Sequence, residues 1–186
     1  MRARGERRDP STVRRAGREL VSPTAIESAL DRLGDEVTVA LGAARPVVVA
    51  VMHGGVFAAT ALARRLDFPY EFDYVHLSRY HDTLEGREVV WHVRPRLTLR
   101  NRHVLVVDDI LDHGRTLEAL TRELAALRVA SLHTAVLVAK DLAAPHPRPA
   151  VDFIGVRVPD SYVFGCGMDY EGYWRGLPGL YTIDPE

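Results

Sequence analysis

Cysteine and lysine are nearly absent from this chain of 186 residues. A single cysteine, Cys166, excludes an internal disulfide framework and any thiolate-rich metal cage, and it fits a reducing cytoplasm. No apolar run approaches the roughly 20 residues needed to span a bilayer, and no signal-peptide pattern opens the chain. Strong charge of one sign is missing too. A formal net charge of -1 excludes a surface built throughout for nucleic acid or an anionic membrane. Two phosphate-loop fingerprints are absent: neither G-x-G-x-x-G nor G-x-x-x-x-G-K-[ST] occurs. Of the 24 basic residues, Lys140 is the only lysine. The bias toward arginine reflects coding composition, yet it makes a lone compact ammonium conspicuous.

What is present is an ordinary globular composition, 47% hydrophobic, sized for one domain with a small appended lobe. "MRARGERRDP" reads as a solvated tail. Its acids, Glu6 and Asp9, break the positive run a transit peptide would need. From Ser22 a helix is expected, with Ser22 as cap and Pro23 at the first helical position. Ile26, Leu30, Leu33, Val37 and Leu41 recur at helical spacing before Gly42. "PVVVAVM" from Pro46 is a β-branched run suited to a strand buried on both faces. "HGG" and the helical "VFAATALARRL" follow it. Further strands are expected at Tyr70–Leu77, Val89–Val93, His103–Val107, Ser131–Ala139 and Val151–Val158, with an amphipathic helix at "RTLEALTRELAAL". Residues 78–90 read as a long polar loop, the kind that serves as a lid. Strands alternating with helices specify an α/β fold around a mostly parallel sheet.

In such sheets ligands sit beyond the carboxyl ends of the strands. Two segments fall there. The double glycine after the first strand is a weak signal that tight packing alone would explain. "VLVVDDILDHGRTL" is stronger. Asp112, His113, Gly114, Arg115 and Thr116 would form a turn whose backbone amides converge at a helix N-terminus, a geometry for a phosphate monoester. Asp108 and Asp109 at the strand end suit vicinal hydroxyls or hydrated Mg²⁺. Together they describe a ribose 5-phosphate site. A receiver domain also pairs acids after a strand, but it needs an acceptor aspartate ending a later strand. Asp152 precedes its apolar run instead, so that reading is rejected.

The run resembles the phosphoribosyl diphosphate (PRPP) signature of the type I phosphoribosyltransferases. "VAKD" and "VPDSYVFGCGMDYEGYWRGLP" further resemble the hypoxanthine-guanine phosphoribosyltransferases. The resemblance runs from about Leu20 to the C-terminus, with its elements in the family's order. It implies a flanked parallel sheet spanning residues 21–150, and a small hood built from residues 1–20 and 151–186. It implies that Asp108 and Asp109 face the ribose hydroxyls of PRPP and that Asp112 exchanges a proton with purine N7. His113 to Thr116 would hold the 5′-phosphate, helped by the Thr116 hydroxyl. Lys140 would meet the 6-oxo group, Tyr162 would stack on the base, and the Val163 backbone would read its edge. Asp169, with Asp108 and Asp109, would serve Mg²⁺ and border the purine. His53, Gly54 and Arg175 would meet pyrophosphate, on a loop that in this family often holds a non-proline cis peptide. Tyr80 would belong to the lid.

Taken singly, these residues have plain readings: Trp174 as packing, Arg175 as one more surface arginine, Asp169 as a turn cap. Their joint order is what carries the resemblance. Two departures stand out: His53 where a lysine, arginine or asparagine is more familiar, and His113 in place of a threonine or serine. The expected activity is purine salvage, forming IMP or GMP and pyrophosphate from PRPP and hypoxanthine or guanine in the cytoplasm. The expected assembly is a homodimer or homotetramer, with no membrane partner and nucleic acid disfavoured. The alternatives are a xanthine preference, or an RNA-binding regulator on the same fold that keeps PRPP as effector.

Overall fold

The computed structural model describes residues 9–79, 89–142 and 147–183, apart from the side chains of residues 79 and 89. Its larger sheet has six strands: β2 (Val47–Val51), β3 (Glu71–Arg79), β4 (Val89–Val93), β5 (His103–Leu111), β6 (Ser131–Asp141) and β7 (Phe153–Pro159). Their order is β4-β3-β2-β5-β6-β7. All neighbours run parallel except β3 and β4.

The strands are apolar on both faces because helices cover both. Val48, Ala50, Leu105 and Val107 point into a core shared with α2 (Pro23–Leu41) and α3 (Gly55–Ala63). Val47, Val49, Val51, Val104 and Val106 point into a second core closed by Leu117, Leu120 and Leu124 of α4 (Arg115–Ala126). Period-two alternation along each strand feeds the two cores in turn. Burying each such side chain contributes about 1.5–3 kcal/mol. α2 starts as its sequence requires: the Ser22 hydroxyl accepts from the Ala25 amide at 3.2 Å, with Pro23 in the first turn.

A smaller sheet joins chain ends distant in sequence, in the order β1 (Arg18–Val21), β9 (Leu180–Thr182), β8 (Val163–Phe164). Against it packs α1 (Pro10–Ala16), whose Val13 shares a cluster with Phe164 and Tyr181. Trp174 Nε1 donates to the Pro10 carbonyl at 2.8 Å, a packing role for that indole.

Of the boundaries that differ from the sequence expectation, three stand out. The expected tail ends in a helix start, because the Asp9 carboxylate accepts from the Thr12 amide at 3.0 Å and Pro10 begins α1. β3 runs on through Arg79, and Tyr80 with the rest of the expected lid as far as residue 88 lies outside the described residues. β5 continues to Leu111, so Asp108 and Asp109 lie inside the strand instead of at its end.

Candidate active site

Strand order reverses between β2 and β5, since β3 and β4 add on one side and β6 and β7 on the other. The two central strands pair only as far as Ala50 and Val107. β5 then continues against β6, from Asp108 opposite Val136 to Leu111 opposite Ala139, while β2 gives way to a loop. This leaves a crevice at the carboxyl ends, the expected ligand position. The loop carries a cis peptide between Met52 and His53.

The double glycine is explained here. A Cβ on Gly54 would collide with the Asp109 carboxylate, and one on Gly55 would lie 2.7 Å from the Val107 carbonyl oxygen. Only a bare backbone fits against these carboxylates. A Cβ on Gly167, at φ 106°, would in turn strike the Gly54 carbonyl, so the turn containing Gly167 also lies on this loop.

Asp108 and Asp109 form a closely coupled pair, with the Asp109 amide donating to Asp108 Oδ1 at 2.9 Å. Burial first, and the neighbouring Asp109 charge second, push the Asp108 carboxyl well above the usual carboxylate range. Burial also raises Asp109, partly countered by its hydrogen bonds and by the Arg175 charge. Two adjacent carboxylates are tolerated here because burial and their mutual repulsion oppose full ionisation of the pair.

Behind them the chain turns into α4. Gly114 caps that helix at φ 72° with no side-chain hydrogen bond. First-turn helix amides have no acceptor within their helix. The turn faces a cavity of about 540 Å³ lined by His53, Gly54, Asp108, Asp109, Asp112 and residues 113–117, with Val51, Met52, Leu77 and Ile110. A second cavity of about 250 Å³ is lined by Lys140, Tyr162, Val163, Met168 and Asp169. Asp109, Ile110 and Asp112 wall both.

Asp112 stands at the junction. One carboxylate oxygen lies 3.0 Å from His113 Nδ1 and the other 3.3 Å from Lys140 Nζ. Lys140 is largely buried and also lies 3.7 Å from Asp160. At the second cavity's rim Tyr162 is 49% exposed, enough for its ring to meet a planar ligand. Its hydroxyl donates to the Asp169 carbonyl at 3.0 Å, and burial with the Asp169 charge raises its pKa, keeping the phenol neutral. The Asp169 carboxylate pairs with Arg175 at 2.7 Å and accepts from the Gly172 amide at 2.5 Å. Arg175 also donates to the Gly167 carbonyl at 2.7 Å, so it reaches the site through Asp169.

The two cavities thus bring together the site residues expected from the sequence except Arg175, which stands behind Asp169, and Tyr80, which lies outside the described residues. Two contributors were not anticipated. Arg148 donates to the carbonyls of Asp112 at 3.2 Å and Lys140 at 2.7 Å, strapping the two cavities together. Asp160 is the second partner of Lys140. Among so many arginines, Arg148 in a proline-rich connector carries no visible signal; Asp160, near the start of the segment that carries the family resemblance, offered a faint one.

Residues 19–171 match the phosphoribosyl transferase domain model. A hypoxanthine-guanine-xanthine phosphoribosyltransferase of Tritrichomonas foetus is 32% identical over 87% of this chain and 88% of its own. A hypoxanthine-guanine phosphoribosyltransferase of Staphylococcus epidermidis is 33% identical over 76% and 80%. A crystal structure of a hypoxanthine phosphoribosyltransferase from Staphylococcus aureus superposes with a TM-score of 0.87, covering 95% of this chain and 96% of that one at 27% identity.

Proposed function

Because the chain belongs to the hypoxanthine-guanine phosphoribosyltransferase family, we propose that it transfers the 5-phosphoribosyl group of PRPP to hypoxanthine or guanine, releasing pyrophosphate. The larger cavity takes PRPP and the smaller one takes the base. The observation that carries this reading is the position of Asp112 on the wall common to both, 3.3 Å from the only lysine.

In the reaction, purine N9 bonds to ribose C1 as the bond from C1 to pyrophosphate oxygen breaks, and the N7 proton passes to Asp112. Asp112 stands on the wall shared by the two cavities, within reach of both reactants, and a positioned carboxylate can serve as the base. Lys140 donates to the 6-oxo group, which selects oxopurines over an aminopurine. Tyr162 stacks on the base and the Val163 backbone meets its edge. The α4 amides and the Thr116 hydroxyl hold the 5′-phosphate, and Asp108 and Asp109 accept from the ribose hydroxyls. Accepting two hydroxyl donors favours their ionised form, which the empty pair resists.

The donor set fits Mg²⁺. Mg²⁺ is held by one or two carboxylates plus substrate phosphate oxygens, and among the described residues no group of three ligating side chains forms a dedicated cage. Asp169, Asp108 and Asp109 are the carboxylates available to the ion, of which one or two would hold it together with substrate phosphate oxygens. The bound ion would offset charge developing on the pyrophosphate. The His53–Gly54 loop faces the same leaving group, and Arg175 acts on it from behind Asp169. In this reading the small sheet, with Tyr162 and Val163 at one end, is the hood over the base, and the working form is a homodimer or homotetramer.

The test is an ultraviolet absorbance assay with PRPP, Mg²⁺ and each of hypoxanthine, guanine, xanthine and adenine. Turnover of the first two is expected, with kcat falling by about 10²–10⁴ in Asp112→Asn. Inert hypoxanthine and guanine, or an Asp112→Asn enzyme as fast as the parent, would overturn the assignment.

A further inference from the structure

Three histidines stand in a row that runs from the β2 loop across β3 to β4, and the first of them lines the crevice. His53 follows β2, His76 lies on β3 and His92 on β4. The ring centroids of His53 and His76 are 4.5 Å apart, and those of His76 and His92 are 4.6 Å apart. Ser78 Oγ closes the row, 2.9 Å from His92 Nε2.

An irregularity in the strand register makes the row. Unbroken antiparallel pairing from His76 opposite Val93 would set His92 opposite Leu77, and opposed residues share one face of the sheet. Leu77 is buried, so His92 would point into the core. Instead the register jumps to Leu77 opposite Trp91. Trp91 joins the apolar cluster of Leu77, and His92 becomes the extra residue, re-aimed onto the face of His76 and Ser78.

The row opens on the larger cavity through His53. His76 is half-buried; that burial, and then the charges of His53 and His92, hold its imidazole below the ordinary histidine value. A stack of this kind resists carrying several charges until an anion offsets their repulsion. The rings pack on one another, and among the described residues no three such groups are arranged to hold a metal ion. The other charged groups lining the cavity are Asp108 and Asp109 on β5 and Asp112, His113 and Arg115 at the α4 turn. Along β3 and its neighbours, Asp73 is engaged by the Arg96 and Leu97 amides, and Arg94 lies 4.9 Å over the Trp91 ring.

Resting on the function proposed above, we infer that His53, His76 and His92 form a proton-accepting wall for pyrophosphate: the leaving group is met by His53, and the stack takes up a proton as it binds. His76 and His92 are positioning residues that set how readily His53 carries charge. A histidine is charged below its pKa, so pyrophosphate binding strengthens as pH falls.

Titration calorimetry with magnesium pyrophosphate, at one pH in buffers of different ionisation enthalpy, counts the protons taken up. Wild type is expected to show uptake near neutral pH, and an affinity that weakens by about tenfold between about pH 6 and about pH 8. His53→Lys supplies a permanent charge, so it should keep the acid-side affinity while losing both the uptake and the slope. The ligand's own protonation is common to both proteins and cancels in the comparison. His76→Gln and His92→Gln, checked for an intact fold by circular dichroism, should diminish the uptake. Equal uptake in wild type and His53→Lys would overturn the wall, and unchanged uptake in both glutamine variants would remove the positioning role. Inactivity toward every base overturns the proposed reaction instead; active enzyme without proton linkage overturns only this inference.

Discussion

The crevice is walled on one side by residues of the segment 108–117 and on the other by the β2 loop and Leu77 of β3, with His76 and His92 stacked behind His53. The first wall works through backbone amides and carboxylates whose positions follow from a strand turning into a helix. The second works through imidazoles brought together by a register jump. Amides keep their polarity at every pH, whereas imidazoles change charge near neutrality. In the proposed function, one end of the ligand would meet amides whose polarity is independent of pH and the other would meet imidazoles that change charge. Gly54 is the hinge between them, since its backbone rests on Asp109 while its neighbour His53 begins the stack.

The largest effect should come from that hinge. In Gly54→Ala the new methyl would occupy the space of the Asp109 carboxylate. Asp109 must swing away, and displacement of about 1 Å in a positioning group costs about 10²-fold. PRPP affinity measured by calorimetry should fall by about that factor, while the far-ultraviolet circular dichroism stays unchanged. An alanine variant that binds PRPP normally would show that the two walls are independent.

The first wall was legible in the sequence because it is local. Adjacent acids after an apolar run, then Gly114, Arg115 and Thr116, carry their geometry in their order. The parallel sheet was legible for a related reason, since β2 and β5 are apolar on both faces and state their burial directly. Chemistry that depends on non-local register was not. Nothing in "VVWHV" says that Trp91, and not His92, lies opposite Leu77. Arg148 was hidden by the abundance of arginine, and α1 by the polar character of its outer face, where Val13 is the only buried residue. The family resemblance supplied Tyr162, Val163 and Asp169, whose joint placement around one cavity depends on the fold closing its chain ends into a second sheet.

A smaller effect is expected where the comparison turns to the base. Lys140→Arg preserves charge but replaces a compact ammonium with a planar fork. Lys140 is enclosed by Asp112, Asp160 and the Arg148 strap, so the larger group does not fit the same space. kcat/KM for hypoxanthine should fall by about ten- to a hundredfold, with calorimetric PRPP affinity unchanged. A parallel loss of PRPP affinity would mean that the lysine serves the first wall instead of the base.

The smallest effect concerns what the first wall costs the protein when no ligand is bound. The folded state holds the Asp108 carboxyl above its ordinary pKa, chiefly by burial and next by the Asp109 charge. A carboxyl raised on folding binds more protons in the folded state than in the unfolded one between the ordinary and the raised value. Stability of the ligand-free protein therefore falls as pH rises through that window, and is regained as pH drops toward the ordinary carboxylate range. Asp108→Asn removes the titration and one of two adjacent negative charges, at the expense of the ribose contact proposed for Asp108. Scanning calorimetry near neutral pH should find the variant more stable by about 1 kcal/mol, or about 2–4 °C in Tm, with PRPP affinity reduced. The gain should shrink as the scan is repeated at lower pH, where wild-type Asp108 is already neutral. A variant less stable than its parent at neutral pH would mean that Asp108 is satisfied in the empty site, and the strain assigned to the fixed wall would have to be withdrawn.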